Sequence, residues 1–246
     1  MPKKPAKPFI FKEFVVHQEN CSLKVNTDGC LLGAVAVKEL QKDKVNSNSQ
    51  FLDIGTGTGV IALMLAQKFE ANFDAVEIDA DSAQQAIYNF EQSKWTERLS
   101  CFHNSIIDYA DNSSKLYDVI VCNPPFFENA TKSPYAHKNL SKHNDSLPFE
   151  ALIKAVKQLL ASDGKFYIIL PVDEGNRFLQ HLPKYALFVN YQLNIKPITY
   201  KKVHRIILMI SPINQKIKEE EFSIRNEDTS YSKEYSSLLK DYYIVF

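Results

Sequence analysis

Phe51-Leu52-Asp53-Ile54-Gly55-Thr56-Gly57-Thr58-Gly59 is the stretch that decides the fold. A short apolar run leads into three glycines at alternate positions, and an apolar helix of about 59–68 follows. A strand that enters a helix through a tight glycine turn is the first unit of a parallel α/β sheet. Glycines there let the backbone turn sharply and approach a ligand closely. A dinucleotide fold wants G-x-G-x-x-G, which seats a pyrophosphate on the helix N-terminus. Here the spacing is G-x-G-x-G, and Asp53 stands just before the turn. An acid is unfavourable beside a diphosphate but suits an amine or a cation. S-adenosylmethionine (SAM) carries both an ammonium and a sulfonium. Asp53, Gly55, Thr56, Gly57 and Gly59 are therefore candidate SAM contacts, against the simpler reading of an ordinary strand–helix turn.

Working outward, strands are expected over 50–54, 72–77, 99–103, 117–122, 165–170, 187–195 and 203–211. Helices are expected over 81–91, 149–160 (closed by Asp163-Gly164) and 174–182. The alternation predicts a doubly wound, seven-stranded, mostly parallel sheet with an antiparallel hairpin at its edge. Upstream, 9–16 reads as a strand with 22–25 as its hairpin partner, and Asp28 as the N-cap of a helix reaching about Leu40. Downstream, 222–224 reads as a short strand and 231–240 as a terminal helix. Residues 1–8 read as a flexible basic tail, and 9–246 as one domain with an N-terminal hairpin and helix extension.

Strand two ends Val76-Glu77-Ile78-Asp79, and Glu77 is placed to accept hydrogen bonds from ribose hydroxyls. Asp79 and Asp81 read as helix caps. Strand three is followed by Asn104-Ser105-Ile106-Ile107-Asp108, where Ser105 and Asp108 are both candidates to meet an adenine and a plain surface loop is the alternative.

Strand four, Tyr117-Asp118-Val119-Ile120-Val121-Cys122, runs into Asn123-Pro124-Pro125-Phe126. Two prolines end the strand ladder, having no N–H, and each holds its predecessor extended. The corner presents an amide, unpaired carbonyls and an aromatic face. Those are the groups that an exocyclic amine on a flat ring requires, although a proline turn leaving a strand would look the same. Asn123 and the Pro124 carbonyl would accept from the amine, Pro125 would stiffen the corner, and Phe126 would stack on the ring.

Glycine loop, ribose acid and Asn-Pro-Pro-aromatic corner on successive strand ends resemble the class I SAM-dependent methyltransferases, with their Rossmann-like sheet. The ends of the chain are more specific. Phe11-Lys12-Glu13-Phe14, Lys24-Val25-Asn26-Thr27-Asp28-Gly29 with Leu31-Leu32-Gly33, and Tyr231-Ser232-Lys233-Glu234-Tyr235 with Leu238-Leu239-Lys240-Asp241-Tyr242-Tyr243 resemble the bacterial tRNA1(Val) adenine-N6-methyltransferase family. The resemblance covers nearly the whole chain. It implies methyl transfer from SAM to the N6 amine of adenine 37, beside the anticodon of a valine tRNA. Two positions depart from the family. Phe126 stands where Tyr is usual, and Phe is frequent in guanine-N2 rRNA methyltransferases. Ile106 stands where many relatives carry Asp, so the contact to the SAM adenine stays open. Competing activities are guanine-N2 rRNA or protein-glutamine methylation, and, outside enzymes, a non-catalytic SAM- or RNA-binding module.

The 246 residues carry 29 basic and 29 acidic side chains, so any RNA-binding surface must be local. Lys132, Lys138 and Lys142, with Tyr135, His137 and His143 among them, are candidates beside the base pocket. Lys201, Lys202, His204 and Arg205 form a second basic cluster, and Glu219-Glu220-Glu221 reads as a solvated charge run. Either basic stretch can also be plain solvated surface. The six histidines and four scattered cysteines show no metal-ligand spacing, and no metal is expected. The cysteines read as reduced thiols. Without a membrane-length apolar run or signal peptide, the reading is a cytoplasmic monomer.

Overall fold

The computed structural model describes residues 6–125 and 147–246. An eight-stranded sheet runs through it. Its strands are β3 (Gln50–Ile54), β4 (Asn72–Glu77), β5 (Leu99–His103), β6 (Tyr117–Cys122), β7 (Leu160–Pro171), β8 (Phe188–Ile198), β9 (Arg205–Ser211) and β10 (Lys218–Arg225), in the order β10-β8-β9-β7-β6-β3-β4-β5. Only β9 runs against its neighbours. The expected hairpin is β8–β9. The mostly parallel sheet has one strand more than the seven expected, because β10 adds itself outside that hairpin, parallel to β8.

That eighth strand passes straight through the acid run that had read as solvated surface. Glu220 is held by Lys38, Lys218 and the Tyr191 hydroxyl, and Glu221 pairs with Lys196. Burial works to raise the Glu220 carboxyl, yet these partners hold it down at about 2. Charges on an edge strand also discourage pairing with other sheets.

Alternating strand residues face two cores. On one face Phe51, Phe73, Val119, Val121, Tyr167 and Ile207 pack under α1 (Thr27–Leu40), α2 (Val60–Ala66), α3 (Ala80–Glu91) and α7 (Lys233–Leu239). On the other, Leu52, Ile54, Ile120, Cys122, Ile168 and Leu208 pack under α4 (Ile106–Asn112), α5 (Phe149–Leu159) and α6 (Val172–Leu179). This is the period-two alternation of a sheet covered on both sides.

Several local expectations are corrected. The N-terminal strand breaks into β1 (Phe9–Ile10) and β2 (Val15–Val16), which pair with each other, so 22–25 is not the partner. Asn26, not Asp28, caps α1, accepting from the Gly29 N–H, while Asp28 takes the Arg205 guanidinium at 2.9 Å. Asp163-Gly164 does not close α5. The chain passes from Leu159 directly into β7, and a Cβ on Gly164 would stand 2.8 Å from the Tyr117 carbonyl. Residues 106–112 form a helix rather than a loop. Among the described residues no helix is long and apolar enough to cross a membrane, and none of the four cysteines is paired.

The N-terminal segment is strapped across α3. Buried Asn89 accepts from the His17 N–H at 2.9 Å and donates at 2.8 Å to the carbonyls of His17 and Thr58. Phe11, Phe14, Trp95 and Tyr243 pack beside it, and Lys12 donates to the carbonyls of Lys240 and Phe246. Asn89→Ala strands those three backbone groups. It should lower unfolding free energy by about 2–3 kcal/mol in urea titration, with the denaturant slope unchanged.

Candidate active site

The chain starts at β3, moves out through β4 and β5, then returns to lay β6 against the other side of β3. That reversal opens a crevice at the carboxyl ends of β3 and β6, where ligands of open α/β sheets bind. Ile54 is level with both Val76 and Cys122, and Glu77 is level with His103. Asp53, the glycine loop, Glu77, Ser105 and Asn123 therefore lie along one edge of four adjacent strands.

Gly55, Gly57 and Gly59 all have positive φ, at 66°, 56° and 80°. A Cβ added at Gly55 or Gly57 meets nothing within 4 Å, so the loop presents bare backbone to open space. At Gly59 a Cβ would stand 2.5 Å from the Phe90 ring, which packs α3 against the start of α2. The Glu77 carboxylate fixes the loop. One oxygen accepts from the Gly57 N–H at 2.8 Å and the other from the Asp79 N–H at 2.9 Å. A carboxylate has about four acceptor positions, so two remain for ribose hydroxyls. Asp79 caps α3 through the Ser82 N–H, as the sequence reading expects.

Asp53 is 2% exposed, and its Oδ2 accepts the Thr56 hydroxyl at 2.7 Å. Its Oδ1 is buried with no hydrogen-bond partner among the described residues. Burial, with help from the Glu77 charge, pushes the carboxyl up to about 7, against the pull of the Thr56 hydroxyl and the Ala62 N–H. An orphaned acceptor beside a side-chain-free backbone cradle fits the amine of SAM. Asp53, the 55–59 backbone and Glu77 would hold that donor. The Thr56 hydroxyl is committed to Asp53, its N–H donates to the Val76 carbonyl at 3.3 Å, and its carbonyl accepts from the Gly59 N–H at 2.9 Å. Ser105 is committed too. It caps α4, accepting from the Asp108 N–H at 3.0 Å and donating to the Asp108 carboxylate at 2.7 Å.

Asn123, Pro124 and Pro125 leave β6 at the mouth of the crevice. The Asn123 amide nitrogen lies toward Gly29, where an added Cβ would be 3.5 Å away. The start of α1 thus forms one wall of the corner, held by the Asn26 cap and the Asp28–Arg205 pair. Sequence reasoning had given Gly29 and Arg205 no place at the site. Phe126 and the candidate contacts Lys132, Lys138 and Lys142 lie outside the described residues. No cluster of metal-binding side chains occurs among the described residues.

Asp53 gives a signed pH expectation. Its folded pKa lies above its unfolded value of 3.8, so between pH 4 and 7 the native state binds more protons than the unfolded one. Native stability should fall as pH rises through that window, and Asp53→Asn should flatten the fall. SAM should bind with proton release below about pH 7, because its ammonium favours the carboxylate. Calorimetry in buffers of different ionisation enthalpy measures the release, which Asp53→Asn should abolish.

A family model described as a methyltransferase small domain matches residues 33–184. A tRNA1(Val) (adenine(37)-N6)-methyltransferase of Trichodesmium erythraeum is 38% identical over 97% of this chain and 98% of its own. One of the same description from Flavobacterium psychrophilum is 37% identical over 96% and 99%. Among solved structures, a predicted O-methyltransferase from Agrobacterium tumefaciens superposes with a TM-score of 0.66, over 87% of this chain and 96% of its own, at 12% identity. A ribosomal protein L11 methylase from Lactobacillus delbrueckii gives 0.56, over 80% and 83%, at 15% identity. At such identities the solved structures speak for the fold alone. The curated relatives match end to end, and by them the chain belongs to the tRNA1(Val) (adenine(37)-N6)-methyltransferase family.

Proposed function

We propose that this protein methylates the N6 amine of an adenine in tRNA, adenine 37 of a valine tRNA, using SAM. The observation that carries the reading is Asn123 at the end of β6, one strand from the Asp53–Gly59 cradle and walled by Gly29. The relatives' shared description supplies the RNA and the base. The protein is read as a cytoplasmic monomer, with residues 9–246 working as one domain.

SAM, held by Asp53, the glycine-loop backbone and Glu77, supplies an electrophilic methyl group. What remains for the chain is to present the amine. An adenine amine is a weak nucleophile because its lone pair is delocalised into the ring. The base must first leave the RNA stack to enter a pocket. Acceptance of its two N–H groups by the Asn123 amide oxygen and the Pro124 carbonyl would turn the lone pair toward the donor. Those same oxygens would stabilise positive charge as it develops on nitrogen. No strong base is required, since the methylated nitrogen loses its extra proton readily. Phe126 is assigned the stacking face and Lys132, Lys138 and Lys142 the neighbouring phosphates. An intact Asn123 has no purpose in a module that only binds.

Nucleoside mass spectrometry of valine tRNA, incubated with SAM and the protein, should show N6-methyladenosine. N2-methylguanosine in its place would overturn the choice of base. Asn123→Ala should cut single-turnover transfer by about 10²–10³-fold while leaving SAM affinity nearly unchanged. A wild-type rate in that variant would reduce the corner to a structural turn. Glu77→Ala should weaken SAM, because it removes the ribose acceptors and also the clamp on Gly57.

A further inference from the structure

The second basic cluster of the sequence lies on the turn between β8 and β9. Cys122, Ile168, Leu208 and Gln192 are level across β6, β7, β9 and β8. β8 continues from that level to Ile198, with β10 alongside it to Arg225. At about 3.3 Å per residue and 4.8 Å per strand, the turn stands roughly 20 Å above Cys122 and roughly 14 Å to its side. It overhangs the same edge of the sheet that carries Asn123.

The turn is ordered rather than loose. The Thr199 N–H and hydroxyl both donate to the Arg225 carbonyl at 3.1 Å, Lys201 N–H to Ile198 at 2.8 Å, and His204 N–H to Ile195 at 2.9 Å. This rigid tip displays an aromatic ring to solvent: Tyr200 is 63% exposed, with the Lys201 ammonium 5.4 Å from its ring centre. Lys202 beside it is exposed. Of the nearby acids, three have partners and Glu227 is exposed on the neighbouring turn. Glu221 pairs with Lys196, Asp28 with Arg205, and Asp228 accepts from Ser230. A presented tyrosine between solvent and two lysines is what a nucleic acid meets well, with phosphates on the cations and a base face on the ring.

We propose that the Tyr200–Lys202 turn is an RNA-binding arm, distinct from the base pocket, that holds the tRNA by its backbone and by one stacked, unpaired base while the target adenine enters beside Asn123. The inference rests on the tRNA reading above. It adds a second contact region, far enough from the chemistry to affect capture without touching transfer.

The test is fluorescence anisotropy of an unmodified valine tRNA transcript across a range of KCl concentrations, with SAM calorimetry as the control for folding. Lys201→Gln with Lys202→Gln should weaken tRNA and reduce the log–log salt slope by about 1.4–1.8, the loss of two phosphate contacts. Tyr200→Ala should weaken tRNA about 5- to 150-fold with the slope intact, and Tyr200→Phe should bind as wild type. SAM affinity should be unchanged in all of them, and saturating tRNA should restore the wild-type single-turnover rate. If wild type binds and methylates the tRNA while these variants keep its affinity and slope, the arm is overturned and the function stands. If wild type binds SAM but not tRNA, both fall.

Discussion

The carboxylate of Glu77 is the contact on which the site depends. It sits at the end of β4 and receives backbone N–H groups from two loops, Gly57 after β3 and Asp79 before α3. Gly57 holds a positive φ that most side chains avoid, so the loop needs an outside acceptor to keep that N–H pointing at β4. The acid thereby organises the cradle before any ligand arrives. The residue assigned to the ribose is also the residue that builds the pocket. A preorganised acceptor of this kind spares the ligand the cost of ordering the loop.

Asp53 adds the opposite device. It is a buried acid at the start of the same loop, with one oxygen satisfied by Thr56 and the other left without a partner among the described residues. An unpaired buried acceptor costs stability, and native proteins retain such groups where a ligand answers them. Around this pair the sheet reversal sets the spacing. β3 carries the cradle, β6 carries Asn123, and the strands are hydrogen-bonded neighbours. The distance between donor and acceptor sites is thus fixed by the most rigid part of the molecule rather than by loops.

Much of this was legible in the chain because strand and turn signals are local. The apolar run before Gly55, the acid after Val76 and the double proline after Cys122 each fall where the sheet puts them. What escaped was set by long-range partners. β10 was expected only over 222–224, because its first half is an acid run whose neutralising lysines include Lys38 and Lys196 on other elements. The cap of α1 moved from Asp28 to Asn26 because Arg205, 177 residues away, claims the aspartate. α4 had a local signal, Ser105 followed three residues later by Asp108, but seven residues give too little periodicity to outweigh a loop reading. Gly29 gained its place only when α1 met β6.

The strap formed by the N-terminal segment also has a history written into it. Lys12 meets carbonyls 228 and 234 residues further along, and Phe11 bridges to Tyr243. Asn89 must already sit on a formed α3 before His17 can dock. During synthesis residues 11–12 therefore wait for residues 240–246 before these contacts can close. Contacts of such long sequence separation are slow to close and late to form. Until then Phe9, Phe11 and Phe14 remain uncovered, a hydrophobic cluster open to chaperones, to proteases and to neighbouring nascent chains.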